Sequence, residues 1–510
     1  MATFIVRRLI ASIFILLAAT YLMYILTALS GDPLQDLRES TAPNKAQLIA
    51  ARSDLLNLDV PPFLRYFIWL GGVIGVTGKG FWLGVTVQNQ PVTVLLAQAA
   101  GSTLQLVTIA AIVAIILGIT VGITTALRQY SGYDYGVTFI SFLFFSLPIF
   151  WVAVLLKQYV AIGFNDFLAD PGIEFWIIPI VAVISGLIWM SIIPRKGLQK
   201  LLTFGIAAVA TAAILFYMNL SDWFSTPHIG FVGIIISAIG IAFGVTLIST
   251  GLKKRRALYA SLTVAGVGIA IYFPFLYGFS FGLELGGLVL IALLTVGVSF
   301  AIGWFWGGTD RIPVARTAAI TGFFVAAVIA LDRFMFVWNQ YANSDRIKGR
   351  PIATVGSSTP GLEGSLWVEG VDLFTHLLLP TMALVLISFA SYTRYSRASL
   401  LEVMNQDYIR TARAKGLTER TVVVRHAFRN ALIPIATIVA FDIGGIIGGA
   451  VITERVFGFV GMGQLFQNGL DKVDPNPVMA FFLVTGGLAI LFNLIADLVY
   501  AGLDPRIRVS

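Results

Sequence analysis

Long apolar runs separated by short polar links recur along the whole chain. A helix that crosses a bilayer needs about 20 mostly apolar residues. Twelve stretches approach that length, roughly 9–29, 103–126, 135–162, 174–193, 201–217, 229–250, 258–279, 284–305, 317–338, 374–391, 431–452 and 478–503. The pattern predicts an all-α polytopic membrane protein with about 12 spans. Several runs contain Gly or Pro, which membrane helices tolerate better than soluble ones. The first run follows Arg7 and Arg8, and Ala28-Leu29-Ser30 resembles a cleavage site. A signal peptide's apolar region is usually about 7–15 residues, so this longer run reads as a retained anchor.

Composition agrees with a lipid solvent. Of 510 residues, 57% are apolar and 12% charged, whereas a soluble domain carries about 25% charged residues. The absence of cysteine excludes disulfides, thiolate metal sites and a cysteine nucleophile. His228, His376 and His426 are far apart in sequence.

The net charge of +8 matters less than where the charges fall. With the N-terminus placed in the cytoplasm and the spans alternating, cytoplasmic segments hold 22 of the 34 basic residues and outside segments 10. Lys157 and Arg333 fall inside spans. The inside links carry Arg195, Lys196 and Lys200, then Lys253, Lys254, Arg255 and Arg256, while 163–173, 218–228 and 280–283 carry no Lys or Arg. This positive-inside distribution predicts that both termini are cytoplasmic.

Three blocks follow. Residues 1–163 hold three spans and an outside loop, 30–102. Residues 164–373 hold six spans and a polar outside stretch. Residues 374–510 hold three spans and a cytoplasmic loop, 392–430. Within 30–102, residues 46–56 have helical periodicity and 63–76 suit a membrane interface, so the loop is expected to form a small cap packed on the helices.

Loop 392–430 carries Arg394, Arg397, Arg410, Arg413, Lys415, Arg420, Arg425 and Arg429 against Glu402, Asp407 and Glu419. Adhesion to anionic lipid would explain the charge, but not the order Arg410-Thr411-Ala412-Arg413-Ala414-Lys415-Gly416-Leu417. The small residues at 411, 412 and 414 leave room for a partner, and Gly416 suits a left-handed helix end. A short helix, a glycine turn and a second short helix are expected.

Other candidates lie within spans. Pro148 frees a backbone carbonyl and is expected to kink span three. Gly444, Gly445, Gly448 and Gly449, like Gly118 and Gly122, have the spacing for close helix packing. Asp442 and Asp497 are intramembrane carboxylates, which are costly and often functional. Asp332 and Arg333 suggest a local pair, and Lys157 can snorkel. Gly75-Val76-Thr77-Gly78-Lys79-Gly80 fails as a phosphate loop, because Val73 stands where a glycine is required and Gly80 where Ser or Thr is. No catalytic or metal-binding set is evident, and the outside acids Glu454, Asp471 and Asp474 have no catalytic spacing.

The chain resembles the B-type permease subunit of dipeptide/oligopeptide/nickel ABC importers. The segment around Ala412 and Gly416 matches that family's ATPase-docking loop, in the Arg-Thr-Ala-Arg-Ala-Lys-Gly form common in its peptide branch. The likeness extends to Gly31-Asp32-Pro33, Ser146-Leu147-Pro148-Ile149-Phe150-Trp151, the stretch from His376 to Pro380, Arg394, Arg397, Asn493, Asp497, Tyr500 and Asp504-Pro505-Arg506-Ile507-Arg508. It covers about 1–163 and 374–510. The intervening block, with its six spans, departs from the family pattern. An even number of inserted spans leaves the later orientation unchanged.

The resemblance implies an ABC type I importer permease core of about six spans in a bacterial plasma membrane, importing peptides. It also implies a C-type permease partner, two ATPase subunits that bind ATP and Mg, and an extracytoplasmic substrate-binding protein. The chain itself would bind no cofactor. Residues 410–417 would couple to the ATPases, and Ser146, Pro148 and Asp442 are candidates for the translocation path. A secondary transporter is the main rival, since twelve spans suit that class, but such folds tend to show two related halves. A membrane-embedded enzyme would need a catalytic cluster.

Overall fold

The computed structural model describes residues 2–76, 78, 80–193, 197–279 and 282–503, with side-chain surroundings omitted at 2–5, 279, 420, 440, 441, 443, 444 and 496–503. Lys79, Arg195, Lys196 and the 504–508 motif lie outside the described residues, as do the side-chain surroundings of Gly444, Asp497 and Tyr500. Among the described residues the regular elements are all helices, with one isolated antiparallel bridge, Val85 to Pro91.

Among the described residues, ten helical stretches are long and apolar enough to cross a membrane, or eleven if a bent pair counts as one span. The difference from twelve has local causes. Ile177–Ile192 is only 16 residues long. Leu285–Ala342 counts as one stretch, yet it contains Leu285–Gly307 and Arg311–Phe336 packed on each other across a three-residue turn. The expected span 135–162 costs no span, since Ile149–Ala169 still counts, but it is interrupted. Helix Gly132–Ser146 ends before Pro148, and a new helix, Ile149–Leu155, begins after it.

That interruption is a break, not the expected kink. The residue before a proline is pushed out of the helical region, and Leu147 takes an extended ψ of 130°. The carbonyl of Pro148 then accepts from the N–H groups of Trp151 and Val152, which starts the next helix.

The chain divides into two compact units. One comprises Met1–Val160, Thr354–Ser357 and Leu377–Ser510, and the other Ala161–Ala353 and Ser358–His376.

In the first unit, helix Val92–Ala126 packs on the long helix Leu366–Met404. Gly118 and Gly122 make the approach possible. A Cβ on Gly118 would sit 2.5 Å from Tyr392 Cβ, and one on Gly122 2.6 Å from the Thr393 carbonyl oxygen. The 39 residues of Leu366–Met404 rise about 58 Å, well beyond the bilayer's apolar thickness of about 30 Å. Arg394 and Arg397 therefore belong to this helix rather than to a loop. Lys45–Leu55 is helical, as the periodicity of 46–56 predicts, and the stretch read as suiting a membrane interface also contains a helix, Pro62–Ile74. Tyr66, Trp69 and Leu83 pack with Tyr24, Leu96, Met462 and Met479 in one buried cluster, so this region forms a cap on the helices.

In the second unit, small residues let the helices pack tightly. A Cβ on Gly303 would meet Ala315 and Ala318, and one on Gly322 would meet Ser299. Asp332 is buried. Its carboxylate accepts from the N–H groups of Ile229 (2.5 Å) and Gly230 (3.3 Å) and from the Tyr272 hydroxyl (2.6 Å). It thereby caps the start of helix Gly230–Ser249. Arg333 lies over the rings of Phe336 and Trp367.

Candidate functional site

After Met404 the chain forms the short helix Asp407–Ala414. Gly416 then turns with φ +75°, and its N–H donates to the Arg413 carbonyl. The Thr418 side chain caps the turn Glu419–Thr421, which runs through a π-helical turn, Val422–Ala427, into helix Phe428–Phe457. The helix–glycine–helix arrangement read from the sequence is present. The intervening segment spans 405–427, shorter than 392–430, because the flanking helices extend into it.

The short helix has two faces. Ile409 and Ala412 are buried with Ala126, Leu400, Val422, Ala427 and Ala431. Arg410, Thr411, Arg413, Ala414, Lys415, Gly416 and Leu417 are exposed. Ala412 thus meets this chain's own helices, and the surface open to another molecule lies on the opposite side. Asn430 Nδ2 donates to the Tyr408 hydroxyl at 2.8 Å, which ties the short helix to the next long one.

Across the turn, Arg413 Nη2 and Nε donate to Glu419 Oε1 (2.7 Å) and Oε2 (3.2 Å). The Arg413 guanidinium holds the Glu419 carboxyl below its usual range. Glu419 was legible only as an isolated acid in a basic loop.

A second pair anchors the base of this region. Arg397 Nε and Nη2 donate to Asp134 Oδ1 (2.8 Å) and Oδ2 (2.9 Å). The Asp134 side chain is buried, and its carboxylate also accepts from the Tyr130 N–H. Burial alone would raise the Asp134 pKa. The Arg397 hydrogen bonds and charge outweigh it and hold the group low. Arg394 lies 4.4 Å from the Phe145 ring centroid. Sequence reasoning missed Asp134, whose partner is 263 residues away.

Ser146 and Pro148 are exposed on this chain, and the Ser146 hydroxyl donates to the Leu143 carbonyl. Ile149 lies 3.4 Å from where a Gly449 Cβ would stand. Asp442 is half-buried on the same helix as Gly449, seven residues earlier and so on the same face. Its carboxylate interacts with the Tyr392 hydroxyl. The break at Pro148, Gly449 and Asp442 therefore flank one helix face. Space beside Gly448 is open, and Gly445 meets only Asp442 of its own helix.

The acids Glu454, Asp471 and Asp474 hold structure. Glu454 is fully buried. It accepts from the Thr103 hydroxyl (2.5 Å) and the Gly463 N–H (2.7 Å), while Thr103 Oγ1 accepts from the Met462 N–H. This fixes a 78° bend between Gly445–Phe457 and Met462–Asp471, where the sequence pattern suggests only a loop. Asp474 accepts from the Val87 N–H at 2.7 Å, and Asp471 from Gln467. Lys157 Nζ donates to the Val456 carbonyl at 3.3 Å, near the end of a helix, where a cation is favoured.

Comparisons with known proteins show the family. Residues 349–509 match the family model described as binding-protein-dependent transport system inner membrane component. The dipeptide transport system permease protein DppB of Escherichia coli (strain K12) is 32% identical over 251 residues, 47% of this chain and 74% of that protein. The oligopeptide transport system permease protein OppB of Mycobacterium tuberculosis (strain H37Rv) is 44% identical over 155 residues, 30% of this chain and 48% of that protein. AppB of Bacillus subtilis (strain 168), an oligopeptide permease, is 44% identical over 137 residues, 27% and 43% of the two chains. The chain belongs to the family of binding-protein-dependent transport inner membrane components, and it is a multi-pass membrane protein. It spans about half the length of the OppB relatives it matches.

Proposed function

We propose that this chain is the permease subunit of an ATP-driven ABC importer for dipeptides or oligopeptides, and that it forms the translocation path with a second, C-type permease. The observation that carries the reading is the two-faced helix Asp407–Ala414. Its buried Ile409 and Ala412 grip the chain's own helices, and its exposed basic face stands ready for a partner. In this reading the exposed face of 410–417 seats in a groove of a cytoplasmic ATPase. Two such ATPases bind ATP and Mg, and this chain binds neither. A substrate-binding protein delivers peptide from outside. Both termini are cytoplasmic, in keeping with the distribution of Lys and Arg.

A partner can shift a conformational equilibrium only through contacts that differ between the states. Closure of the ATPases moves the basic face. Ile409, Ala412 and the Tyr408–Asn430 bond pass the movement to the helices on either side. In this reading Asp442 meets a peptide's amino group, and Ser146 and Pro148 line the path from the broken helix. Gly445 and Gly448 face the second permease. Residues 164–373 form a block inserted between the two halves of the importer core.

The test is uptake of labelled peptide by the assembled complex in proteoliposomes. ATP-dependent uptake that survives an uncoupler supports the reading. Uptake by this chain alone on a proton or sodium gradient overturns it.

A further inference from the structure

A cavity of about 790 Å³ lies where the 30–102 cap meets the end of the first helix, within the usual size of small-ligand sites. Asp32, Arg38, Arg65, Ile68 and Trp69 are among its lining residues. Arg38 is matched by Asp32 at 2.9 Å. Arg65 is half-buried and makes no ion pair among the described residues. Its Nε and Nη2 donate to the carbonyl oxygens of Val60 and Leu58. Trp69 is 7% exposed, and its indole N–H has no partner.

Arg65 also interacts with the Tyr24 hydroxyl, so its partners are neutral oxygens, and an anion would supply both the guanidinium's missing counter-charge and an acceptor for the orphaned indole N–H. The backbone is also strained around this space. Asn57, Asn89 and Val473 line it with φ between +52° and +60°, and for a β-branched residue such as Val473 that is uncommon.

The neighbouring surface indicates the source of the anion. Helix Pro62–Ile74 is stitched to the first membrane helix by Tyr66, whose hydroxyl bonds to Thr20 Oγ1 at 2.9 Å. Its other face exposes Phe63, Leu64, Phe67 and Ile68, and Ile68 also lines the cavity. Exposed apolar side chains next to the end of a membrane span suit acyl chains. We infer that the cavity binds the phosphate-bearing head group of a membrane phospholipid, with its chains along this apolar face.

The experiment titrates the purified, delipidated full-length chain with phosphatidylglycerol and counts bound lipid by native mass spectrometry. It needs neither ATP nor partner subunits, so its outcome is separate from that of the importer reading. The expected result is one tightly held phospholipid. Arg65→Gln should weaken it about tenfold, as for loss of a hydrogen bond to a charged group. Arg65→Lys should retain most of the affinity, and Trp69→Phe should lose about threefold for one donor. Neither trialanine nor inorganic phosphate, at millimolar concentration, should displace the lipid. Equal retention by the wild type and Arg65→Gln overturns the assignment. Displacement by either soluble compound also overturns it, because the site would then not select a lipid. If Arg65→Gln does not fold, unchanged binding by Trp69→Phe overturns it.

Discussion

Arg413 and Glu419 clasp the two sides of the Gly416 turn through two hydrogen bonds of 2.7 and 3.2 Å. The pair is exposed, so its worth to stability is at most about 1 kcal/mol. Its consequence is geometric, since it sets the angle at which the basic helix Asp407–Ala414 leaves the chain. Because the folded Glu419 pKa is depressed, the clasp is complete above the ordinary carboxylate range and is lost as pH falls through the folded value. Glu419→Gln should lower peptide uptake at pH 7 while leaving melting temperature nearly unchanged, as read by transport assay and thermal scan.

Gly416 has open space around its Cα, so Gly416→Ala acts through backbone conformation alone. At φ +75° an alanine costs about 1 kcal/mol. The expected result is a folded protein with reduced uptake, checked by comparing ATP hydrolysis with transport in the assembled complex.

Arg397→Met leaves the Asp134 carboxylate buried without its counter-charge. Removing one partner of a buried pair costs about 3–5 kcal/mol, and the partial exposure of Arg397 reduces this to about 2 kcal/mol. Thermal unfolding in detergent should show the loss. Asp134→Asn combined with Arg397→Met should recover part of it.

The two glycine groups should behave differently. Gly118→Val forces a side chain against Tyr392 Cβ and should destabilise the isolated chain by about 2 kcal/mol or more. Gly448→Leu meets open space and should leave the isolated chain intact. Its effect should appear as weaker association with the second permease in co-purification.

Asp474 supplies a pH signature. Burial raises its pKa to about 6, with hydrogen bonds from Val87 and Asn476 opposing. The folded chain therefore favours the protonated acid, a preference fully present below the unfolded value and lost as pH rises through about 6. Stability from this site should fall by about 2 kcal/mol between pH 4 and pH 7. Asp474→Asn should flatten that part of the pH profile in thermal scans.

Much of the architecture is written in local pattern. Apolar runs mark the helices, periodicity marks Lys45–Leu55, and the glycine at 416 marks its turn. What pattern could not supply depends on distant partners. Ala412 reads as a small surface residue, yet Ala126 and Ala431 help bury it. Asp134 reads as the first-turn acid of a helix, and only the fold brings Arg397 to it. The bend after Phe457 depends on Thr103, far away in sequence, which reaches Glu454. Pro148 was legible as a disruption, but whether a helix kinks or restarts depends on the backbone of Leu147.

The absence of native cysteine permits a direct test of the central claim. A single cysteine at position 414, on the exposed face of the short helix, should react freely with a maleimide in the isolated chain. In the assembled complex it should be shielded, and it should crosslink to an ATPase subunit in a nucleotide-dependent manner. Equal labelling with and without the ATPases, and no crosslink in an intact complex, would contradict the account.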